Sequence, residues 1–191
     1  MSWIDLLKDQ RRWAGLTIVL LALGIGWTFL SRLPASAAGA NQQTGSPRQG
    51  FAAPDFTLDL LGGGSVTLSD LRGQPVMVNL WASWCIPCRL EMPAIQKVYN
   101  DYRDLGLVVL AVNATNQDSA AKAAEFVRDH GLTFPVPLDR DGSVSALYAL
   151  RGLPTTFFID RDGVVRSVVV GGPMSEAAIR SKVEELLKES P

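Results

Sequence analysis

Hydrophobic residues are distributed along this chain in three regimes. From Trp13 to Leu30 they run as WAGLTIVLLALGIGWTFL, 18 positions with no charged side chain and no polar face. From Ser31 to Gly50 the chain is rich in Ala, Gly, Ser and Gln and holds neither an aromatic residue nor an apolar run. From Phe51 onward, short β-rich apolar runs alternate with amphipathic stretches, as strands and helices sharing one core must.

The third regime predicts an α/β domain. Phe56–Leu60 and Val66–Leu68 alternate on either side of a glycine-rich turn at 62–64, which marks a β-hairpin. Pro75–Trp81 and Leu107–Val112 are continuous apolar runs, the pattern of strands buried on both faces. A helix is predicted from Cys85 to about Tyr102 and a second over Ser119–His130, with Asp118 as its cap and Gly131 ending it. Pro135–Leu138 reads as a short strand, followed by a short helix over Ser143–Leu150 capped by Asp141 or Ser143. Thr155–Ile159 and Val164–Val170 flank the turn Asp160-Arg161-Asp162-Gly163. Ser175–Lys188 closes the domain as an amphipathic helix with Ile179, Val183, Leu186 and Leu187 on one face. This order predicts a mixed central sheet with a mostly parallel centre, a terminal antiparallel hairpin and helices on both faces.

The first regime is near the lower limit of length for one helix across a hydrocarbon core about 30 Å thick. Lys8, Arg11 and Arg12 precede it, and basic residues stay on the cytoplasmic side, while Trp13 and Trp27 suit the membrane interfaces. The sequence thus divides into a cytoplasmic segment 1–12, a transmembrane signal-anchor helix 13–30, a flexible linker 31–50 and a domain 51–191 outside the cell membrane. Such a linker spans roughly 25 Å root-mean-square. Ala35-Ser36-Ala37 also fits a signal-peptidase site, after which the domain would be released. The apolar run exceeds the roughly 7–15 residues of an ordinary signal core, which favours retention. Both readings export the domain.

Composition adds exclusions. At 191 residues, 47% hydrophobic and 19% charged, the chain can bury a packed core and is neither disordered nor collagen-like. Of its 18 basic and 19 acidic side chains, three and two precede residue 31, so the exported part carries a net charge of −2. That leaves no basic footprint for nucleic acid. No Gly-Lys-Ser/Thr follows the glycine run, and no flavin or nicotinamide fingerprint is present, so no cofactor is implied.

The chemistry lies in two cysteines three positions apart. Trp81-Ala82-Ser83-Trp84-Cys85-Ile86-Pro87-Cys88-Arg89-Leu90-Glu91-Met92-Pro93 follows a buried strand and opens a helix. A helix N-terminus carries unpaired N–H groups and a partial positive charge, which stabilise a thiolate. Cys85 is therefore expected to have a lowered pKa and to be the attacking group. Cys88, one turn inward, can resolve a mixed disulfide, and Pro87 fits the first turn. A c-type haem site would need His where Arg89 stands, and zinc would need more ligands than His130 can add. A peroxiredoxin would place Thr where Ala82 stands, and a structural disulfide over so short a loop constrains little. Redox chemistry is favoured over these alternatives, with no metal site expected.

WCIPC after VMVNLWAS, with Gly152-Leu153-Pro154-Thr155-Thr156 downstream, resembles the thioredoxin superfamily. The extension Arg89–Pro93, the N-terminal hairpin and the anchor narrow the resemblance to the TlpA/ResA family of membrane-tethered extracytoplasmic thiol-disulfide reductases, with a redoxin or AhpC/TSA-like domain. It covers about Phe51–Lys188. The resemblance implies a thioredoxin-like fold, with Cys85 as an exposed nucleophile and Cys88 as its buried resolving partner. It implies that Pro154 is a cis-proline facing the disulfide and that the Leu153 backbone pairs with an extended substrate segment. Trp84, Ile86 and Pro87 complete the implied substrate-contacting surface. Many thioredoxins carry a buried Asp where Asn79 stands; Asn79 cannot ionise, so the resemblance assigns proton handling to Glu91. A carboxyl buried beside a thiol should have a raised pKa and exchange protons with Cys88 near neutrality. Trp81 is expected to pack in the core, Pro93 to kink its helix, His130 to cap its own, and Lys97 and Arg103 to lie on a solvated face.

The expected reaction is reduction of protein disulfides. Cys85 attacks, Cys88 then attacks the sulfur of Cys85, and reduced substrate leaves the Cys85–Cys88 disulfide behind. The implied partners are disulfide-containing proteins, with apocytochrome c in cytochrome c maturation as one client, a transmembrane thiol electron donor, and the membrane itself. An oxidase or isomerase would use the same residues in the opposite direction. A non-enzymatic thioredoxin-fold metal or folding chaperone is the other alternative; two soft thiols suit Cu(I), but no neighbouring Met or His motif supports it.

Overall fold

The structure, a computed structural model, describes residues 45–188. The expected cytoplasmic segment 1–12, the expected anchor over 13–30 and most of the stretch read as a linker lie outside the described residues. Among those described, no helix is long and apolar enough to cross a membrane. Contacts with the fold begin inside the stretch assigned to the linker. Ser46 N–H donates to the Ala52 carbonyl, and Gly50 N–H donates to that of Val165.

The predicted hairpin forms from β1 (Thr57–Asp59) and β2 (Ser65–Thr67), a separate two-stranded sheet. A four-stranded sheet is built from β3 (Val76–Trp81), β4 (Val108–Asn113), β5 (Thr155–Ile159) and β6 (Val165–Val170), in the order β4-β3-β5-β6. The helices are α1 (Ile86–Tyr102), α2 (Ala120–Asp129), α3 (Ser143–Leu147) and α4 (Glu176–Lys188). Only β3 and β4 are parallel, whereas β5 runs antiparallel to both β3 and β6. The expected mostly parallel centre is therefore wrong. One right-length crossover, through α1, joins β3 to β4, and the long connection from β4 brings the chain back in the opposite direction.

Every residue of β3 and β5 is buried, as central strands require. One face of the sheet packs Met77, Trp81, Val109 and Phe158 against Met92 and Ile95 of α1, Phe126 of α2, and Ile179 and Val183 of α4. The other packs Val78, Leu80, Leu110 and Phe157 against Phe56, Leu68, Val144 and Tyr148. Helices do occupy both faces, but unequally: short α3 covers the second face only with help from the hairpin region.

Two local expectations are corrected. Pro135–Leu138 is not a strand; single bridges pair Leu60 with Pro137 and Asn113 with Leu138, since two prolines in four residues leave too few N–H groups for a ladder. The caps also change. Ser119 caps α2, its Oγ accepting from Lys122 N–H at 3.2 Å, and Asp118 turns elsewhere. Helix α3 ends at Leu147, and buried Asp139 accepts from its Val144 and Ser145 N–H groups at 3.1 and 2.8 Å. Asp141 accepts from Ser143 N–H, at 3.0 Å. Pro93 sits inside α1 without ending it.

Candidate active site

Helix α1 begins just after β3 ends, and the turn 82–85 joins them at the C-terminal end of this central strand. Strand β5 lies beside β3 with Thr155 opposite Leu80, so Leu153 and Pro154 enter next to the exit of β3. The Leu153–Pro154 peptide is cis, as the resemblance implies. Pro154 is buried and Leu153 half-buried.

Cys85 is the N-cap of α1 and is disulfide-bonded to Cys88, with Cα atoms 5.3 Å apart. Its Sγ also accepts from the Cys88 backbone N–H at 3.3 Å. A sulfur at this position faces the unpaired N–H groups and positive end of α1, which favour a thiolate once the bond is reduced. Pro87 occupies the first turn, half-buried, where a missing N–H costs nothing. Cys88 is fully buried, and Cys85 is only 4% exposed in the disulfide form. The exposed surface comes instead from its neighbours Trp84 and Ile86, 56% and 71% accessible, which form an apolar rim.

Glu91 lies one turn beyond Cys88 and is fully buried. Its Oε1 accepts from Asn79 Nδ2 at 2.8 Å and its Oε2 from Met174 N–H at 3.0 Å. Asn79 Nδ2 also donates to Thr156 Oγ1 at 2.9 Å, while its Oδ1 is buried without a protein partner. Burial, the dominant influence, pushes the Glu91 carboxyl above the ordinary glutamate range. The bonds from Met174 and Asn79 favour the carboxylate but do not offset it. A carboxyl tuned this way can hold and release a proton closer to neutrality, where thiols also exchange.

Several residues escaped the sequence reading. Asp118 Oδ2 accepts from Ser83 N–H at 2.6 Å and from Asn113 Nδ2 at 2.9 Å, and its Oδ1 accepts from the Ser83 hydroxyl at 2.7 Å. Burial works against its ionisation, but these bonds together with Ser119 N–H outweigh it and hold the carboxyl below the ordinary aspartate range. The Trp84 indole N–H donates to the Gln117 carbonyl at 2.9 Å. Arg89 donates to the Ser83 carbonyl at 3.0 Å and lies over the Phe126 ring at 4.9 Å. The two residues ahead of Cys85 are thus held by the loop that follows β4. Asp118-Ser119 is a doubled cap signal in sequence, and only the fold shows which of the two faces Ser83. Met174 contributes a backbone N–H, for which no side-chain signal exists.

The flanking residues behave as their types suggest. Trp81 is buried, with its indole N–H donating to the Ala111 carbonyl at 3.0 Å. His130 ends α2 and stacks on Phe126, and Lys97 pairs with Glu176 on an exposed surface. Among the described residues, no group of three or more His, Cys, Asp or Glu side chains is placed to hold a metal ion.

This arrangement has relatives. The AhpC/TSA family model matches residues 50–168. The chain is 34% identical over 184 residues to the thiol-disulfide oxidoreductase ResA of Halalkalibacterium halodurans, a match covering 96% of this chain and 99% of that protein. It is 34% identical over 176 residues to the thioredoxin-like protein YneN of Bacillus subtilis, covering 91% and 98% of the two. Among solved structures, a thiol:disulfide interchange protein of the thioredoxin family from Chlorobium tepidum superposes with a TM-score of 0.65 at 27% identity, covering 71% of this chain and 95% of that one.

Proposed function

The chain belongs to the AhpC/TSA family as a thioredoxin-like thiol-disulfide oxidoreductase, and from that premise we propose that it reduces protein disulfides outside the cytoplasm. The observation that carries this reading is the Cys85–Cys88 pair at the start of α1 with a buried, proton-holding Glu91 one turn further in. The Cys85 thiolate attacks a substrate disulfide and forms a mixed disulfide beside Leu153–Pro154, with Trp84, Ile86 and Pro87 contacting the substrate. Cys88 passes its proton to Glu91 and attacks the Cys85 sulfur. The substrate leaves with its own cysteines reduced, and Cys85–Cys88 is oxidised.

The apolar run 13–30, with basic residues ahead of it, supports an anchor whose N-terminus is cytoplasmic and whose catalytic domain lies outside. An oxidised enzyme there must be recharged by another thiol protein, and a transmembrane donor fits that need. Apocytochrome c is the proposed client, since haem attachment needs a reduced cysteine pair.

The reduction potential of the full chain in detergent, equilibrated against dithiothreitol and glutathione buffers, tests the direction. A midpoint near the roughly −270 mV of thioredoxin is expected. One near the roughly −120 mV of a strong oxidant would make this protein a disulfide donor.

A further inference from the structure

The loop after β6 touches two parts of the site at once. Gly171 N–H donates to the Pro154 carbonyl at 2.8 Å, and Met174 N–H donates to Glu91 Oε2 at 3.0 Å. Between them, a Cβ placed on Gly172 would stand 2.7 Å from Glu91 Oε2 and 2.7 Å from Cγ of Pro154, closer than unbonded atoms approach. Gly171 has a φ of +85°, which favours glycine on backbone grounds, whereas Gly172 lies outside the left-handed region. The missing side chain at 172 therefore answers to space rather than to a left-handed backbone. Residues 171–173 are exposed, while Glu91 and Pro154 are buried behind them. The exposed Gly172 backbone thus lies against both the buried Glu91 carboxyl and the proline at the groove.

We propose that Gly172 is a positioning residue through which occupancy of the groove controls Glu91. A substrate strand lying on Leu153–Pro154 covers the exposed segment 171–173 and shuts the carboxyl off from water while the proton moves. This rests on the thiol-disulfide exchange described above. In the step concerned, the Cys88 thiol gives its proton to the Glu91 carboxylate, and the Cys88 sulfur bonds to that of Cys85. The bond from Cys85 to the substrate breaks, and the substrate departs as a thiolate: its disulfide is reduced and the enzyme's two cysteines are oxidised. Departure uncovers the loop, and Glu91 returns its proton to water.

The groups in contact with Glu91 are Asn79 of β3, with Thr156 of β5 behind it, and the Gly172–Met174 loop, while Cys88 precedes it by one turn of the same helix. None of these bears a fixed charge. The charged pairs between α1 and α4, Lys97 with Glu176 and Asp101 with Arg180, are partly exposed and satisfy each other.

Two alanine variants of the full chain separate space from backbone strain. Gly172→Ala adds the conflicting Cβ, whereas Gly171→Ala adds strain but meets nothing within 4 Å. The readout is the rate at which Cys88 displaces a short peptide preformed as a mixed disulfide on Cys85, followed against pH, together with KM for the peptide disulfide. Gly172→Ala is expected to move the acid limb to higher pH, because the displaced Oε2 loses Met174 N–H, and to raise KM several-fold. Gly171→Ala is expected to leave that limb in place. In a Glu91→Gln background, Gly172→Ala should change KM alone. An unmoved limb in Gly172→Ala, or an equal shift in Gly171→Ala, overturns the proposal.

Should Gly172→Ala fail to fold, the Cys88→Ser chain is compared with and without the peptide linked at Cys85. The carboxyl carbon resonance of Glu91 is then followed against pH. A higher midpoint with the groove filled supports the proposal, and an unchanged one overturns it. A wild-type chain that resolves the mixed disulfide at no pH defeats the exchange reading itself, which is a different result from either.

Discussion

Two carboxyl groups serve the two sides of the helix terminus that carries the cysteines, and they are wired alike. Glu91, on the inner side, and Asp118, on the outer side, each accept one amide N–H from an asparagine of the sheet, Asn79 and Asn113. Each also accepts a backbone N–H from another segment, Met174 and Ser83. Yet Glu91 is pushed towards holding a proton and Asp118 towards losing it. Glu91 is fully buried with two donors; Asp118 is half-buried and gains the Ser83 hydroxyl and Ser119 N–H as well. Hydrogen bonds of one kind therefore do not decide a carboxyl's proton affinity. The balance between donor number and desolvation does. The outcome matches position: a carboxyl inclined to hold a proton one turn beyond Cys88 on the inner side, and one inclined to ionise on the outer side, where it ties down Ser83.

The contrast breaks first, and by the largest margin, at the inner site. Glu91→Gln keeps the shape but removes the proposed proton acceptor, and resolution of mixed disulfides is expected to slow by roughly 10²-fold. Alkylation of Cys85 in the reduced chain should keep its rate. Rapid-mixing measurement of both steps checks this, and an equal loss in each would reduce Glu91 to a packing role.

The outer carboxyl should act on stability. Asp118→Ala leaves the N–H and hydroxyl of buried Ser83 without their acceptor and is expected to cost about 1–3 kcal/mol. Urea unfolding of the reduced and oxidised chain would measure it, with Asp118→Asn, which retains one acceptor oxygen, losing less.

The finest distinction is in the sign of pH dependence. The depressed pKa of Asp118 stabilises the fold above the ordinary aspartate value, and this is lost as pH falls through the folded-state pKa. The raised pKa of Glu91 contributes stability fully present below the ordinary glutamate value, and this is lost as pH rises through the folded-state pKa. Unfolding free energies of Asp118→Asn and Glu91→Gln, measured from acid to neutral pH, should depart from wild type with opposite slopes. Departures of the same sign would mean that the two carboxyls are not differently tuned.

Much of the site was readable because it is local. Cys85, Cys88 and Glu91 follow at steps of three along one helix, so their stacking on successive turns is a consequence of helix periodicity. The apolar runs that became β3, β4 and β5 identified buried strands, but the run of residues carries no direction. The antiparallel placement of β5 against β3 depended on how the chain crosses the sheet after β4. Pro135–Leu138 misled for a local reason as well: its β-like composition concealed two positions that cannot donate to a ladder.

What the amino-acid sequence determined by itself was the exchange pair at a helix terminus, the Glu91 that follows it, and the α/β succession that carries them. These depend on spacing within one element and on the charge and donors that any helix start provides. Only the tertiary structure decided which proton affinity each carboxyl has and what holds the loop ahead of Cys85. Met174 reaches Glu91 across 83 positions and Asp118 reaches Ser83 across 35. A backbone N–H leaves no trace in residue identity, and desolvation belongs to whatever packs over a group, so neither exists until distant segments meet.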